Sequence, residues 1–269
     1  MKTLKNYITE GQNFLVNKKL KNRQEMYTYH PANQDELVKY IKFEISNGNT
    51  DLNCIDTSLI TSMSFVFYDS FGGHKYKDLN IDISDWNVSN VKNMNCMFWD
   101  CENITFDISK WDVSKVTDMS SMFEGCKKFN CDLSKWDVSH VLDMDLMFKD
   151  CELFNSDLSK WDVSRVIGMS QMFCNCKIFN CDLYKWDIRH VSDMNNMFRN
   201  CEKFNSDLSG WDMSDVRDIS FMFAGCKNFY CDLSKWNISP NNIATGYTFY
   251  NCEKLKINGL IPDWYHGKL

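Results

Sequence analysis

The sequence predicts an α/β solenoid: a stack of about eight 25-residue coils, each with a short strand and a short helical or 3₁₀ segment, behind a helical N-terminal cap. Three observations predict it. Trp86, Trp111, Trp136, Trp161, Trp186, Trp211 and Trp236 recur every 25 residues. Cys101, Cys126, Cys151, Cys176, Cys201 and Cys226 keep the same step. The apolar fraction, 44% of 269 residues, is enough for a continuous core. A fixed period between about 20 and 50 residues marks stacked repeats, whose units bury their apolar faces only against one another.

The chain divides into a helical N-terminal cap over 1–50, a repeat array over 51–252 and a C-terminal cap over 253–269. In the first, Leu4, Tyr7, Ile8, Phe14 and Leu15 fall on one side of a helix over 3–16. Residues 17–33 are polar and end in His30-Pro31, which reads as a loop. A second helix fits Gln34 to Ser46. Leu37, Val38, Ile41, Phe43 and Ile45 are apolar, Asp35 and Glu36 suit the first turn, and Gly48 ends it. The cap covers the apolar edge of the first coil; a separate functional headpiece is the competing reading.

Residues 51–85 form a first, degenerate coil. Ile55, Ile60, Met63, Val66 and Phe67 stand where Trp136, Val141, Met144, Met147 and Phe148 stand in the regular unit. Ile55 to Trp86 is a step of 31, six more than the period, so an insertion forms a rim loop around Ser70 to His74. Six regular coils follow. The coil from Trp236 is one residue longer and contains Pro240. Leu260, Ile261, Trp264 and Tyr265 furnish the C-terminal cap.

Within the Trp136 coil, Val141, Met144, Met147 and Phe148 have helical spacing, which predicts a short helix or 3₁₀ segment over 140–149 with Ser139 as its N-cap. Phe129 through Val138 is more extended and predicts a strand bonded to the same segment of the next coil.

Asp82, Asp107, Asp132, Asp157, Asp182, Asp207 and Asp232 form a column four residues before each Trp. The reading preferred is that each carboxylate ties down its own turn. A ladder of calcium ions is the alternative, and the glycine-rich loops it needs are missing. The position after the Cys column alternates in sign: Glu102, Lys127, Glu152, Lys177, Glu202, Lys227, Glu253. This predicts salt bridges between coils and points to duplication of a 50-residue pair. Cys131, Cys181 and Cys231 alternate with Ser156 and Ser206 at the same two-coil period, too far apart for disulfides. The 13 cysteines read as buried free thiols, with Cys174, outside both columns, expected at the surface.

A net charge of −6 argues against a nucleic-acid backbone binder. No run approaches the length of a membrane span, and the N-terminus has no secretory pattern, so a cytoplasmic protein is expected, with the cell surface or a virion as the alternative. No catalytic, cofactor-binding or phosphate-binding pattern occurs, and Cys174-x-Cys176 is too short for a zinc site. The expectation is therefore a non-enzyme without cofactor or metal; a calcium- or zinc-dependent protein is a remote third reading.

The outward columns remain. Lys115, His140, Arg165 and His190 lie one coil apart, four residues after each Trp. Template breaks cluster at Gly168, Cys174, Tyr184, Ile188 and Arg189, and Tyr and Arg are frequent binding anchors. Lys115, His140, Arg165, Tyr184, Arg189 and His190 are thus the candidate binding residues; a solvated, charge-mixed face is the plainer reading. The partner expected is another protein, and a monomer is the favoured state.

The motif FN-x-DLS-x-WDVS-x-V-x-DM-x-x-MF-x-x-C, at 129–151 and again at 154–176 with Gly168 for the Asp, resembles the Mycoplasma-lipoprotein-type repeat of the BspA-like leucine-rich-repeat surface proteins. The resemblance covers roughly 51–252. It implies a leucine-rich-repeat-like solenoid with adhesion or protein binding as its work. The lead-in HPANQDELVKYIKFEISNGNTDLNCID looks like that of signal-less members from bacterial and viral genomes.

Overall fold

A computed structural model describes residues 27–68, 81–238 and 243–269. The expected helix over 3–16, the rim insertion and Pro240 lie outside these residues. Helix α1 spans Gln34–Ser46. Asn33 caps it by accepting from Glu36 N–H at 3.0 Å, and Glu36 returns a carboxylate to Ala32 N–H at 2.8 Å. The first bond satisfies an orphan amide of the first turn, and the second ties the incoming chain to it. Leu37 and Ile41 are buried in the common core, and Gln34 holds the Ser64 carbonyl and the Ser62 hydroxyl of the first coil. A second, short helix, α2, covers Glu253–Ile257.

Between these helices the described residues of the coils form neither helix nor sheet, so the α/β assignment is wrong. The regular unit is a succession of β-turns. In the Trp136 coil the turns close through Trp136 N–H to Leu133 O (3.1 Å), Val141 to Val138 (2.9 Å), Met147 to Met144 (3.2 Å), Lys149 to Leu146 (3.0 Å) and Cys151 to Phe148 (3.0 Å). Leu146 and Asp150 have φ of +57° and +62°. Each is the third residue of a turn, where a positive φ is the signature of type II. A continuing α-helix admits no such residue.

The expected helix over 140–149 fails for a definite reason. A helix would return every N–H to its own chain. Here only alternate amides do so. Those of Met144, Leu146, Phe148 and Asp150 donate instead to Gly168, Ser170, Met172 and Cys174 carbonyls of the next coil, at 2.8–3.0 Å. The apolar spacing that reads as helical also suits this turn ribbon, because it too sends Val141, Met144, Met147 and Phe148 inward. The ribbon's pairing is parallel but amounts only to single bridges, at Asn93, Asp118, Asp143, Gly168, Asp193, Asp218 and Ala244.

The expected strand over 129–138 is also absent. Side chains do the joining there. Each Trp Nε1–H donates to a backbone carbonyl of the preceding coil, as Trp136 to Ile108 (3.2 Å) and Trp161 to Leu133 (3.0 Å). Asn130, Asn155, Asn180 and Asn205 accept from the amides of Asn155, Asn180, Asn205 and Tyr230 at 2.8–3.0 Å. The Leu amides donate to the Ser or Cys column: Leu133 to Ser156 Oγ at 2.9 Å, Leu158 to Cys181 Sγ at 3.1 Å. Main-chain groups that a sheet would pair are thereby satisfied, as burial requires.

The interior is filled by columns. Phe123, Phe148, Phe173, Phe198 and Phe223 stack at 5.7 Å between centroids, and Phe129, Phe154, Phe179, Phe204 and Phe229 form a second stack at 6.0–6.1 Å. The thiols of Cys126, Cys151, Cys176, Cys201 and Cys226 are buried and each donates to a Phe carbonyl at 2.9–3.0 Å. Burial pushes these thiols well above their ordinary range. Cys174, expected at the surface, is buried instead, among Lys149, Asp150 and Arg199 of the coils on either side.

At the C-terminal end Trp264 donates Nε1–H to Leu233 O (3.3 Å) and stacks on Trp236 at 6.3 Å. It stands in for the indole that a further coil would supply.

Candidate functional site

The outward residues are positioned by two turns per coil, each closed by an aspartate. In the first, Oδ1 of Asp82, Asp107, Asp132, Asp157, Asp182, Asp207 and Asp232 accepts the backbone N–H two residues on, at 2.9–3.0 Å. Hydrogen bonds from Ser134 hold the Asp132 carboxyl below its ordinary range, and repulsion from Asp157 is a smaller effect. In the second turn, Asp137 Oδ1 accepts Ser139 N–H (3.1 Å) and Oγ–H (2.6 Å). Ser139 is thus held within a turn and caps no helix. The residue after it is thrown outward, which puts Lys115, His140, Arg165 and His190 in one exposed column.

Three of the six candidates meet. Arg165, Arg189 and His190, with Ser164 and Ile167, line an open cavity of about 610 Å³. Arg189 replaces the turn serine and grips Asp187 through Nε to Oδ1 (2.8 Å) and Nη2 to Oδ2 (2.6 Å), which draws the Asp187 carboxyl down. Arg165 makes no ion pair among the described residues. Its guanidinium is the uncommitted charge of the cavity.

The other three stand apart from the cavity lining. Lys115 Nζ donates to Asn90 at 2.8 Å. His140 sits one coil below Arg165, its Nδ1 3.4 Å from Ser139 Oγ. Tyr184 lies over Gly210, its ring 3.4 Å from where a Cβ would be. Gly210 interrupts the lysine column of Lys110, Lys135, Lys160, Lys185 and Lys235, so the two departures fit each other across adjacent coils. Gly168 has the same logic: a Cβ there would come within 2.8 Å of Asp145 Oδ1. The Asp145 carboxylate fills that space and accepts Ser170 N–H at 2.7 Å.

Leu142 and Ile167 escaped the sequence reading. Both are exposed, Ile167 at 52%, on the column beside His140 and Arg165. The signal was available: the matching positions are Lys92, Thr117, Ser192 and Arg217, so the column turns apolar only beside this patch.

Across one rim, Lys127–Glu102 (3.1 Å), Lys177–Glu152 (2.6 Å) and Lys227–Glu202 (3.1 Å) pair coils in twos. Among the described residues no group of three or more His, Cys, Asp or Glu could hold a metal ion, and no helix is long and apolar enough to cross a membrane.

No curated protein and no solved structure gives a match to the chain. A family model does, twice and with overlap, over residues 36–161 and 142–264, as a stacked repeat would produce. The chain belongs to the repeat-containing family described as Mycoplasma protein of unknown function, DUF285.

Proposed function

We propose that the chain is a non-enzymatic interaction module that seats an acidic segment of a partner protein on the face around Arg165, Ile167, Arg189 and His190. The observation that carries this reading is Arg165, without an ion pair among the described residues, lining a cavity beside the exposed Ile167. Arginine beside exposed apolar surface is the usual make-up of a binding anchor. The flanking His140 and Leu142 extend the patch by one coil.

The aspartate column is accounted for by structure: the carboxylates of Asp132 and Asp157 accept hydrogen bonds inside their own turns, which hold them low. A reducing compartment such as the cytoplasm suits the thiol column, since each thiol already has a carbonyl partner. The second reading, a BspA-like surface or virion adhesin, rests on the repeat motif.

The test is fluorescence anisotropy with acidic, neutral and basic peptide pools against the chain and Arg165→Ser. Acidic peptides should bind selectively, more weakly at 200 than at 50 mM salt, and Arg165→Ser should lose about 5- to 30-fold. Equal binding of the three pools, or an unaffected variant, would sink the assignment.

A further inference from the structure

The coil-to-coil ribbon has a polarity, and among the described residues its donors are left without backbone partners at one end. In each coil up to Ile219, alternate amides donate to alternate carbonyls of the next. The last such set runs from Ile219, Phe221, Phe223 and Gly225 to Ala244, Gly246, Thr248 and Tyr250, at 2.8–3.0 Å. The matching donors of the final coil are the amides of Thr245, Tyr247, Phe249 and Asn251. None of them donates to a backbone carbonyl among the described residues. The Phe249 amide is covered by the Tyr265 hydroxyl, which leaves those of Thr245, Tyr247 and Asn251 open. Tyr247 and Asn251 keep the positive φ of their columns, 59° and 58°, so the final coil has the donor geometry of the interior ones.

The neighbouring columns at this end are closed. Trp264 takes the Leu233 carbonyl, and Tyr265 packs edge-on against Phe249 at 4.9 Å. At the opposite end Gln34 of α1 occupies the Ser64 carbonyl of the first coil. The open amides are flanked by two exposed aromatics, Tyr247 and Tyr250, in edge contact at 6.0 Å, with Lys268 above Tyr247 at 5.9 Å.

We propose that the edge formed by residues 245–251 takes a segment of a partner polypeptide in the turn-ribbon conformation of an interior coil, lying parallel to it, by backbone pairing. The open amides of Thr245, Tyr247 and Asn251 call for alternate carbonyls, which is what every interior coil supplies. As in other backbone-pairing recognition, main-chain bonds give affinity and flanking side chains selectivity. Lys268 favours an acidic segment. A second copy of this chain is the poorer occupant, because α1 already sits on its acceptor end.

The test uses a labelled, end-blocked peptide of residues 142–150. Its carbonyls at Asp143, Asp145, Met147 and Lys149 accept from Met119, Ser121, Phe123 and Gly125 in the folded array, and it carries net negative charge. Residue-resolved hydrogen exchange on the full chain should show the amides of Thr245, Tyr247 and Asn251 exchanging faster than those of Ile219, Phe221, Phe223 and Gly225. Added peptide should slow those three by about tenfold or more. Tyr250→Ser, which keeps the fold, and Thr245→Pro, which removes one open amide, should each weaken binding about fivefold or more. If Thr245→Pro does not fold, Tyr250→Ser decides alone. The proposal is overturned if the three amides are already slow in the dilute chain, or if peptide at millimolar concentration protects other residues or none. It is equally overturned if protection arises without peptide and grows with chain concentration, the mark of a second copy.

Discussion

Asp145→Asn should stabilise the protein near neutral pH and lose that advantage in acid. The Asp145 carboxyl is pushed up to about 6, first by burial and then by Asp143 beside it, with a smaller contribution from Asp193. Asp143 is itself raised, again by burial first. A carboxyl raised on folding binds more protons in the native state than in the unfolded one. Its contribution is therefore fully present below the unfolded value near 4 and is lost as pH rises through 6. Moving from 3.8 to about 6 corresponds to ~3 kcal/mol at ~1.4 kcal/mol per pH unit, and partial solvent access reduces this to ~1–2 kcal/mol. Asparagine keeps the Oδ1 that accepts Ser170 N–H at 2.7 Å and removes only the charge. Melting curves of both proteins from pH 4 to 8 should show the variant gaining ~2–6 °C relative to wild type between the ends of that range. The aspartates held low by their turns move both proteins alike and cancel in the difference. A melting difference that stays flat with pH, or one that favours the wild type at pH 7.5, would refute the reasoning.

Trp161→Phe keeps an apolar ring but removes one of the two donors of the Leu133 carbonyl, leaving it Trp136 N–H, and gives up part of the buried indole volume; it should cost ~1–3 kcal/mol in thermal or urea unfolding. Ser156→Ala removes the acceptor of Leu133 N–H and should cost a similar amount, whereas Ser156→Cys, which reproduces Cys131 and Cys181, should cost under ~1 kcal/mol in the same assay. Leu146→Asn relieves a left-handed leucine and should raise stability by ~1 kcal/mol, since Asn196 occupies the same position two coils on. Thiol titration at pH 8 of the native chain should be slow throughout, with Cys131 and Cys231 before the column from Cys126 to Cys226, because even these two are raised to about 11 by burial.

The core columns and α1 could be read from the residues because periodic burial and capping chemistry are local. Trp136, Val141, Met147 and Phe148 turn inward in either a helix or a turn ribbon, so their spacing identified the interior and misassigned the backbone. The conflict was decided by the residues between them. Asp100, Gly125, Asp150, Asn175, Asn200, Gly225 and Asn251 form a column of the types that tolerate positive φ, and all adopt it. That column was a turn signal within reach. Its companion of Phe65, Cys96, Ser121, Leu146, Gln171, Asn196 and Phe221 also has positive φ but carries few such residues. Only the surrounding coils enforce that conformation, and no local pattern announces it. The strand over 129–138 was misassigned because the column from Asn130 to Asn205 went unnoticed: its side-chain carbonyls accept main-chain amides that a sheet would pair.

For the candidate site, Arg165, Arg189 and His190 were named from their columns, while Leu142 and Ile167 were missed because two apolar residues in an otherwise polar column make no array-wide pattern. Tyr184 was singled out as an anchor on residue type, and its position over Gly210 shows how two breaks in adjacent coils can compensate each other.

The two-coil period has a physical consequence for folding. Nearly identical coils invite a register error in which one repeat is looped out and its neighbours close over the gap. The Phe and Trp columns do not resist this, since each coil offers the same rings. The Ser/Cys column does not resist it either, because Ser156 and Cys181 both accept a Leu amide. The Glu/Lys column does. Skipping one coil would set Lys127 against Lys177, or Glu102 against Glu152, in place of the pairs at 2.6–3.1 Å. Each exposed pair is worth only ~0.2–1 kcal/mol, but the error converts an attraction into a repulsion, so the discrimination is about twice the pair's worth. Skipping two coils restores the match, which makes a 50-residue deletion the register error this column leaves unopposed.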